Sequence, residues 1–329
     1  MDRGNLESLR KVFRRSNEAA HLMCEYLDKC PRYVTSSMMD EILSPYENSA
    51  NRSILEKAAF VAMMASACGL DSEANPADRA CEEMYFEPAV RKLDAALYRL
   101  NPYFANIKFP ENGMIKYISR DSGRKTEWSL SHEVYEPYEA FICDESSKFN
   151  DGRIVPSIGF FSERFEFPCV KENGREWMAV KPNEIETMKA PIACASGNVI
   201  AFGLGLGYFP YMAALKPDVK SVTIVERDLS VIELFKRYIL PQFDNGEVRV
   251  SEKIRVVKSD AFDFICNASA NRTSVFDFAF VDLWHDALDG VPLYRRMKGL
   301  EYLWPVTKFS YWVENTLLDY IEFERVMNG

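Results

Sequence analysis

The segment "GNVIAFGLGLGYFPYMAAL", residues 197–215, decides how the chain is read. An apolar run enters three glycines at alternate positions, Gly203, Gly205 and Gly207, and an apolar run of helical character leaves them. The chain holds only 15 glycines in 329 residues, so three within five positions call for a cause. They predict a tight strand-to-helix turn whose backbone approaches a ligand closely.

Downstream, "SVTIVERD", "IRVVKSD", "FDFAFVDLWHD" and "KFSYWVE" read as four more strands. The helical segments "LSVIELFKRYILPQF", "AFDFICNA" and "LYRRMKGLEYLW" alternate with them. Five strands alternating with helices predict an α/β fold with a doubly wound, mainly parallel sheet. Their unbroken apolar runs agree, because a parallel sheet is covered on both faces. Residues 183–195 predict a helix leading into the first strand, with Asn183 and Glu186 spaced as a capping box behind Pro182.

Upstream, residues 107–180 predict a small antiparallel β region. "GMIKYIS", "YEAFIC", "FEFPCV" and "EWMAV" are short and rich in aromatic and β-branched residues. Asn173-Gly174 within "KENGRE" is a hairpin signal. "SIGFFSERFEFP" reads as core, with a pocket wall as the alternative. Residues 1–106 predict a helical region. "LESLRKVF", "AAHLMCEYL" and "SILEKAAFVAMMASACGL" repeat apolar residues at three- and four-residue steps, the last with Ser53 as N-cap and Gly69 as its stop. "EPAVRKLDAALYRL" is read as one more helix, ended by Asn101-Pro102.

Apolar residues make up 47% of the chain, enough for a sizeable core, and the formal net charge is −9. That balance argues against a general nucleic-acid or anionic-membrane surface. The eight cysteines form no C-x-x-C pair and only three histidines exist, so no structural zinc site is expected. The N-terminus lacks a signal-type apolar segment, and no window approaches the ~18 apolar residues of a membrane span. The expectation is a cytoplasmic protein with reduced thiols.

Ligands of an open parallel sheet bind beyond the carboxyl ends of the strands, where strand order reverses. Strand one ends in Gly203-Leu204-Gly205-Leu206-Gly207, and strand two in Glu226-Arg227-Asp228. Strand three ends in Asp260-Ala261, and strand four in Asp282, followed by Trp284, His285 and Asp286. A carboxylate ending strand two is placed to accept from both hydroxyls of a ribose. One after strand three can accept from an adenine amino group. The structural alternatives are a surface acid near a helix start for Glu226 and a helix N-cap for Asp260. For His285 and Asp286 the alternative is a polar cap before "LYRRMKGLEYLW". A dinucleotide fold prefers G-x-G-x-x-G, and here Tyr208 occupies the place of the last glycine.

From about residue 183 to 314 these residues resemble the class I S-adenosylmethionine-dependent methyltransferases, which have a Rossmann-like fold. The whole chain is also similar to a group of bacterial proteins with a helical N-terminal extension. The resemblance implies that residues 181–329 bind S-adenosylmethionine. Gly203, Leu204, Gly205 and Gly207 would lie against its methionine part, with Tyr208 beside them. Glu226 and its neighbour Arg227 would hold the ribose, and Asp260 and Ala261 the adenine. Asp282, His285 and Asp286 are the catalytic candidates: Asp282 to orient the acceptor and His285 as base.

Two departures from that family stand out. Ala201 occupies a position that often carries an acid, so the methionine ammonium needs another partner. After "KFSYWVE" the sequence supplies a helix but no terminal hairpin, so either the sheet has five strands or the β region before 180 completes its edge. A more distant resemblance is to polyamine aminopropyltransferases. Those carry an acid in the glycine loop and an Asp-x-x-Asp pair, whereas Asp282 and Asp286 are four apart. A non-catalytic nucleotide-binding or regulatory protein is a further alternative. A small-molecule substrate is the expected partner; the sequence names neither the acceptor nor an oligomeric state.

Overall fold

The computed structural model describes residues 3–109, 115–121, 124–245, 248–270 and 276–328. In chain order, α1 (Arg3–Lys29), α2 (Ser36–Leu43), α3 (Arg52–Ala67), α4 (Pro76–Cys81) and the one-turn α5 (Glu87–Ala89) precede β1 (Val90–Leu93). Two short helices follow, α6 (Ala95–Arg99) and α7 (Pro102–Asn106). The next strands are β2 (Ile115–Asp121), β3 (Arg124–Tyr135), β4 (Phe141–Lys148), β5 (Ile154–Phe161), β6 (Phe165–Glu172) and β7 (Arg175–Ala179). Helix α8 (Pro182–Cys194) opens the alternating part: β8 (Gly197–Phe202), α9 (Tyr208–Ala214), β9 (Val219–Glu226), α10 (Leu229–Leu234). After the two-residue strands β10 (Asp244–Asn245) and β11 (Val248–Arg249) come β12 (Ile254–Lys258), α11 (Ala261–Ala270) and β13 (Phe278–Val281). The last elements are α12 (Ala287–Lys298), β14 (Lys308–Tyr311) and α13 (Glu314–Asn328).

The chain forms two compact units, one of residues 1–97, 134–166 and 322–329, the other of residues 98–133 and 167–321. In the first, β4 and β1 flank β5, antiparallel and parallel to it respectively. Its core gathers one face of α1 and α3, through Met23, Tyr26, Phe60 and Met64, with Val155, Ile158 and Phe160 of β5. Phe60 and Phe160 stack with ring centroids 4.1 Å apart.

The second unit contains the five-stranded sheet, in the order β12-β9-β8-β13-β14, with every neighbouring pair parallel. The order reverses at β8, which has β9 on one side and β13 on the other. Val199 to Phe202 and all of β13 are buried, as strands covered on both faces must be. This is the Rossmann-like, doubly wound α/β architecture expected from the strand–helix alternation. Among the described residues the sheet has five strands; β2-β3-β6-β7 is a separate sheet and does not extend it.

Four local readings change, the first a small one: α3 starts at Arg52 with Asn51, not Ser53, as its N-cap. "EPAVRKLDAALYRL" is not one helix: Val90–Leu93 is strand β1, paired with Ile158–Phe161, and only Ala95–Arg99 is helical. A parallel ladder and the complete burial of Val90 outweigh local helical periodicity there. The strands between 107 and 180 do not share one sheet, because β4 and β5 pair with β1 while β2, β3, β6 and β7 pair together. Gly113 and Met114, the start of the expected "GMIKYIS" strand, lie outside the described residues. The capping box is not formed either. α8 starts at Pro182 with Lys181 as N-cap, and Glu186 is engaged by Tyr98 Oη and Lys189 Nζ. The Asn173-Gly174 turn does join β6 and β7 in register Glu172↔Arg175, both residues having positive φ.

Candidate functional site

Strand β8 ends where its backbone must turn sharply toward α9. Gly203 adopts φ +102° and Gly205 φ +53°, in the region that L side chains avoid. A methyl at Gly203 would overlap the main-chain carbonyl oxygen of Asp282, where β13 leaves the sheet beside β8. A methyl at Gly205 would overlap the sulfur of Met178 in β7. The turn is thus demanded by the protein's own packing: a main-chain carbonyl at one position, a flexible side chain at the other.

Glu226 ties this turn to the end of β9. Its Oε2 accepts from the Leu204 N–H at 3.2 Å, and its Oε1 accepts from the N–H groups of Arg227 and Asp228 at 2.7 and 2.8 Å. Burial raises its carboxyl above the ordinary carboxylate range, and the three N–H groups pull the other way. Three of about four acceptor sites are taken by the backbone, which leaves room on Oε2.

The second-unit helices α7 and α9 are held together beside the turn. Tyr103 Oη donates to the Leu206 carbonyl at 2.7 Å, Asn101 Nδ2 to Tyr208 Oη at 2.8 Å, and Asn106 Nδ2 to Tyr211 Oη at 2.7 Å. Tyr208 therefore stands at the start of α9 as a buried structural contact, and it does not line the main cavity described next. Gly207 is the N-cap of the same helix.

A cavity of about 280 Å³ opens at the carboxyl ends of the strands, at the small end of the roughly 300–1,000 Å³ typical of small-molecule pockets. Gly203, Leu204, Gly205, Glu226, Arg227 and Asp260 line it, and so do Ala261, Asp282, Trp284 and His285. Asp260 also caps α11: its Oδ1 accepts from Phe262 and Asp263 N–H at 2.9 and 3.2 Å. Asp286 lies outside the lining. It forms a reciprocal cap on α12, accepting from Asp289 N–H at 3.1 Å while Asp289 accepts from Asp286 N–H at 3.0 Å. His285 is exposed at the rim, its backbone N–H bound to the Asp289 carboxylate. Trp284 is buried at the cavity wall.

Several lining residues carried no signal of their own in the sequence. Trp177 and Met178 enter from β7, supplied by the β region, and Ser259, Phe262 and Leu293 complete the walls. Glu184 belongs to a smaller adjoining space of about 20 Å³, which shares Met178, Gly203, Leu204, Gly205 and Asp282 with the main cavity. A signal for Glu184 does exist. It falls in helical register with Met188 and Pro191 on the buried face of α8, where an acid is out of place. Burial first, and then the charge of Asp282, raise the Glu184 carboxyl to about 8. Burial, and then the charge of Glu226, raise Asp282 to about 7. The two titrate as a pair, the second ionisation opposed by the first.

No family model matches the chain, and no curated protein does. The fold is a Rossmann-like α/β one with a cavity at its switch point. Among solved structures the chain is similar to the crystal structure of spermidine synthase from Thermotoga maritima, at 13% identity and a TM-score of 0.30, covering 67% of this chain and 73% of that one. At that degree of likeness it is the strand order and register that define the fold. No helix among the described residues is long and apolar enough to cross a membrane.

Proposed function

We propose that the cavity holds the adenosyl part of S-adenosylmethionine and that the chain directs methyl transfer from it to a small-molecule acceptor. The observation that carries this reading is the convergence of Glu226, Asp260 and Asp282, from the ends of three strands, on one cavity floored by Gly203 and Gly205. The residues fit such a ligand. Glu226 retains an acceptor site on Oε2 for a ribose hydroxyl, and Asp260 caps its helix through Oδ1 alone, leaving Oδ2 for an adenine amino group. The bound sulfonium supplies the electrophile. The chain's share of the work is positioning: Asp282 orients the acceptor, Trp284 gives an apolar wall, and His285 at the rim takes a proton where the acceptor must lose one.

The test is calorimetry with S-adenosylhomocysteine, 5′-methylthioadenosine and NAD. Both adenosyl thioethers are expected to bind, and NAD to bind much more weakly; tighter binding of NAD would sink the reading. Removal of the strand-two acid is expected to weaken binding of either thioether. Glu226→Ala loses about 1.5–3 kcal/mol per charged hydrogen bond and also releases the Leu204 N–H. Glu226→Gln keeps the shape and loses less. Titrations in which both variants match the parent would reduce Glu226 to a loop tether.

A second reading is aminopropyl transfer to a polyamine. The acidic Glu184 and Asp282 side chains beside the glycine turn favour it, since they suit a cationic amine. Turnover assays with S-adenosylmethionine against its decarboxylated form, each with a panel of amines, separate the two.

A further inference from the structure

Glu184 is 9% exposed, and no hydrogen bond or ion pair reaches its carboxylate among the described residues. A buried carboxyl group without a hydrogen-bond partner is costly in either protonation state, and its persistence needs a cause. Lys181, whose positive charge acts on Glu184, is bound to Glu176 at 2.9 Å. The Asp282 carboxylate lines the same adjoining space and is likewise without a hydrogen bond among the described residues. Apart from the glycine turn, that space is walled by Met178, Met188, Leu204 and Phe209 and by Tyr208, whose hydroxyl accepts from Asn101 Nδ2. At about 20 Å³ it has room for one group the size of a water molecule or an ammonium.

We propose that Glu184 and Asp282 form a subsite for a protonated amine carried by a ligand of the glycine-turn cavity. The proposal rests on the adenosyl reading above and adds the chemistry of the group next to the turn. Two carboxyl groups sharing so small a space match a compact cation with several N–H donors. They do not match a hard metal ion, which takes six or more oxygen ligands, and no cluster of three ligating side chains exists among the described residues. The subsite also answers the absence of an acid at Ala201: the charge is supplied from α8, one element earlier in the chain, and from the end of β13. The amine has two sources with the same chemistry, the α-ammonium of the adenosyl ligand's methionine part or an amine acceptor beside it.

The experiment compares the parent with Glu184→Gln by calorimetry at pH 7.5. The probes are S-adenosylhomocysteine, 5′-methylthioadenosine, which is the same thioether without an amine, and spermidine added to the 5′-methylthioadenosine complex. A loss of about tenfold or more for S-adenosylhomocysteine, with 5′-methylthioadenosine within twofold of the parent, supports the subsite and assigns the amine to the adenosyl ligand. Unchanged binding of both thioethers with a tenfold loss for spermidine supports it and assigns the amine to the acceptor. Equal binding of all three probes by parent and variant overturns it. Glu184→Ala, as a second variant, must repeat the pattern, and Glu184→Asp, which keeps the charge, is expected to recover part of the lost affinity. A parent that binds neither thioether overturns the adenosyl reading, and this subsite falls with it; a parent that binds 5′-methylthioadenosine keeps the two failures apart.

Discussion

Gly203→Ala is expected to destabilise the second unit by more than about 4 kcal/mol and to abolish ligand binding. The cost has two parts. A side chain at φ +102° is strained by roughly 1–3 kcal/mol. The added methyl also overlaps the Asp282 carbonyl oxygen, which is main chain and cannot swing aside. Relief requires β13 to move from β8, and that breaks the Asp282 N–H to Phe202 carbonyl bond of 2.9 Å and shifts the Asp282 carboxylate. Gly174→Ala is the control in the same unit, since its φ is +81° with nothing within 4 Å of the new methyl. It is expected to cost about 1 kcal/mol, from backbone conformation alone. Gly205→Ala falls between, because the Met178 side chain it meets can rotate. Urea unfolding midpoints for the three variants measure the series. A Gly203→Ala midpoint no lower than that of Gly174→Ala would show that no backbone contact constrains the turn.

The ligand-free protein is expected to lose stability as pH rises from 5.5 to 8.5, and Glu184→Gln to remove most of that loss. In the folded state Glu184 is raised from 4.5 to about 8 and Asp282 from 3.8 to about 7. The unfolded chain ionises both groups near their ordinary values, so across this window it releases protons that the folded chain holds. Raised carboxyl values therefore give stability that is complete below about pH 4 and lost as pH climbs through 7 and 8. The charges acting on the pair are Lys181 and Glu176 on Glu184 and Glu226 on Asp282; Lys181 alone opposes the shift. Each unit of displacement corresponds to about 1.4 kcal/mol, so the pair is expected to contribute a slope of a few kcal/mol over the window. Denaturant midpoints at pH 5.5 and 8.5 measure it. Glu184→Gln is expected to be more stable than the parent at pH 8.5 and close to it at pH 5.5. Parallel pH slopes for parent and variant would mean that the carboxylate is solvated.

Much of the second unit was legible because its signals are local and repeated. The strands β8, β9 and β13 carry apolar runs that a doubly covered sheet requires, and a glycine or an acid stands at or just past the end of β8, β9, β12 and β13. The N-cap alternative for Asp260 was equally readable, since an Asp before a helix has one common task, and the structure has it capping α11 while also lining the cavity. The hairpin at Asn173-Gly174 followed from the positive φ that those two residue types tolerate. The glycine turn was located correctly. The crowding there was not legible, because the groups that meet Gly203 and Gly205 come from residues 282 and 178, far away in sequence.

The sequence by itself determined the Rossmann-like strand–helix alternation, the turn at residues 203–207 and the acids that end the strands. These depend on hydrophobic period, turn chemistry and neighbours a few residues apart. Tertiary structure alone decided that Val90–Leu93 is a strand, because a parallel partner sixty-odd residues away supplies the ladder that local pattern cannot reveal. It alone decided that Trp177 and Met178 wall the cavity, and that Glu184 and Asp282 share one buried space. Contacts of that kind form only once the chain has folded back on itself, and the burial that perturbs the two carboxyls exists in no single segment.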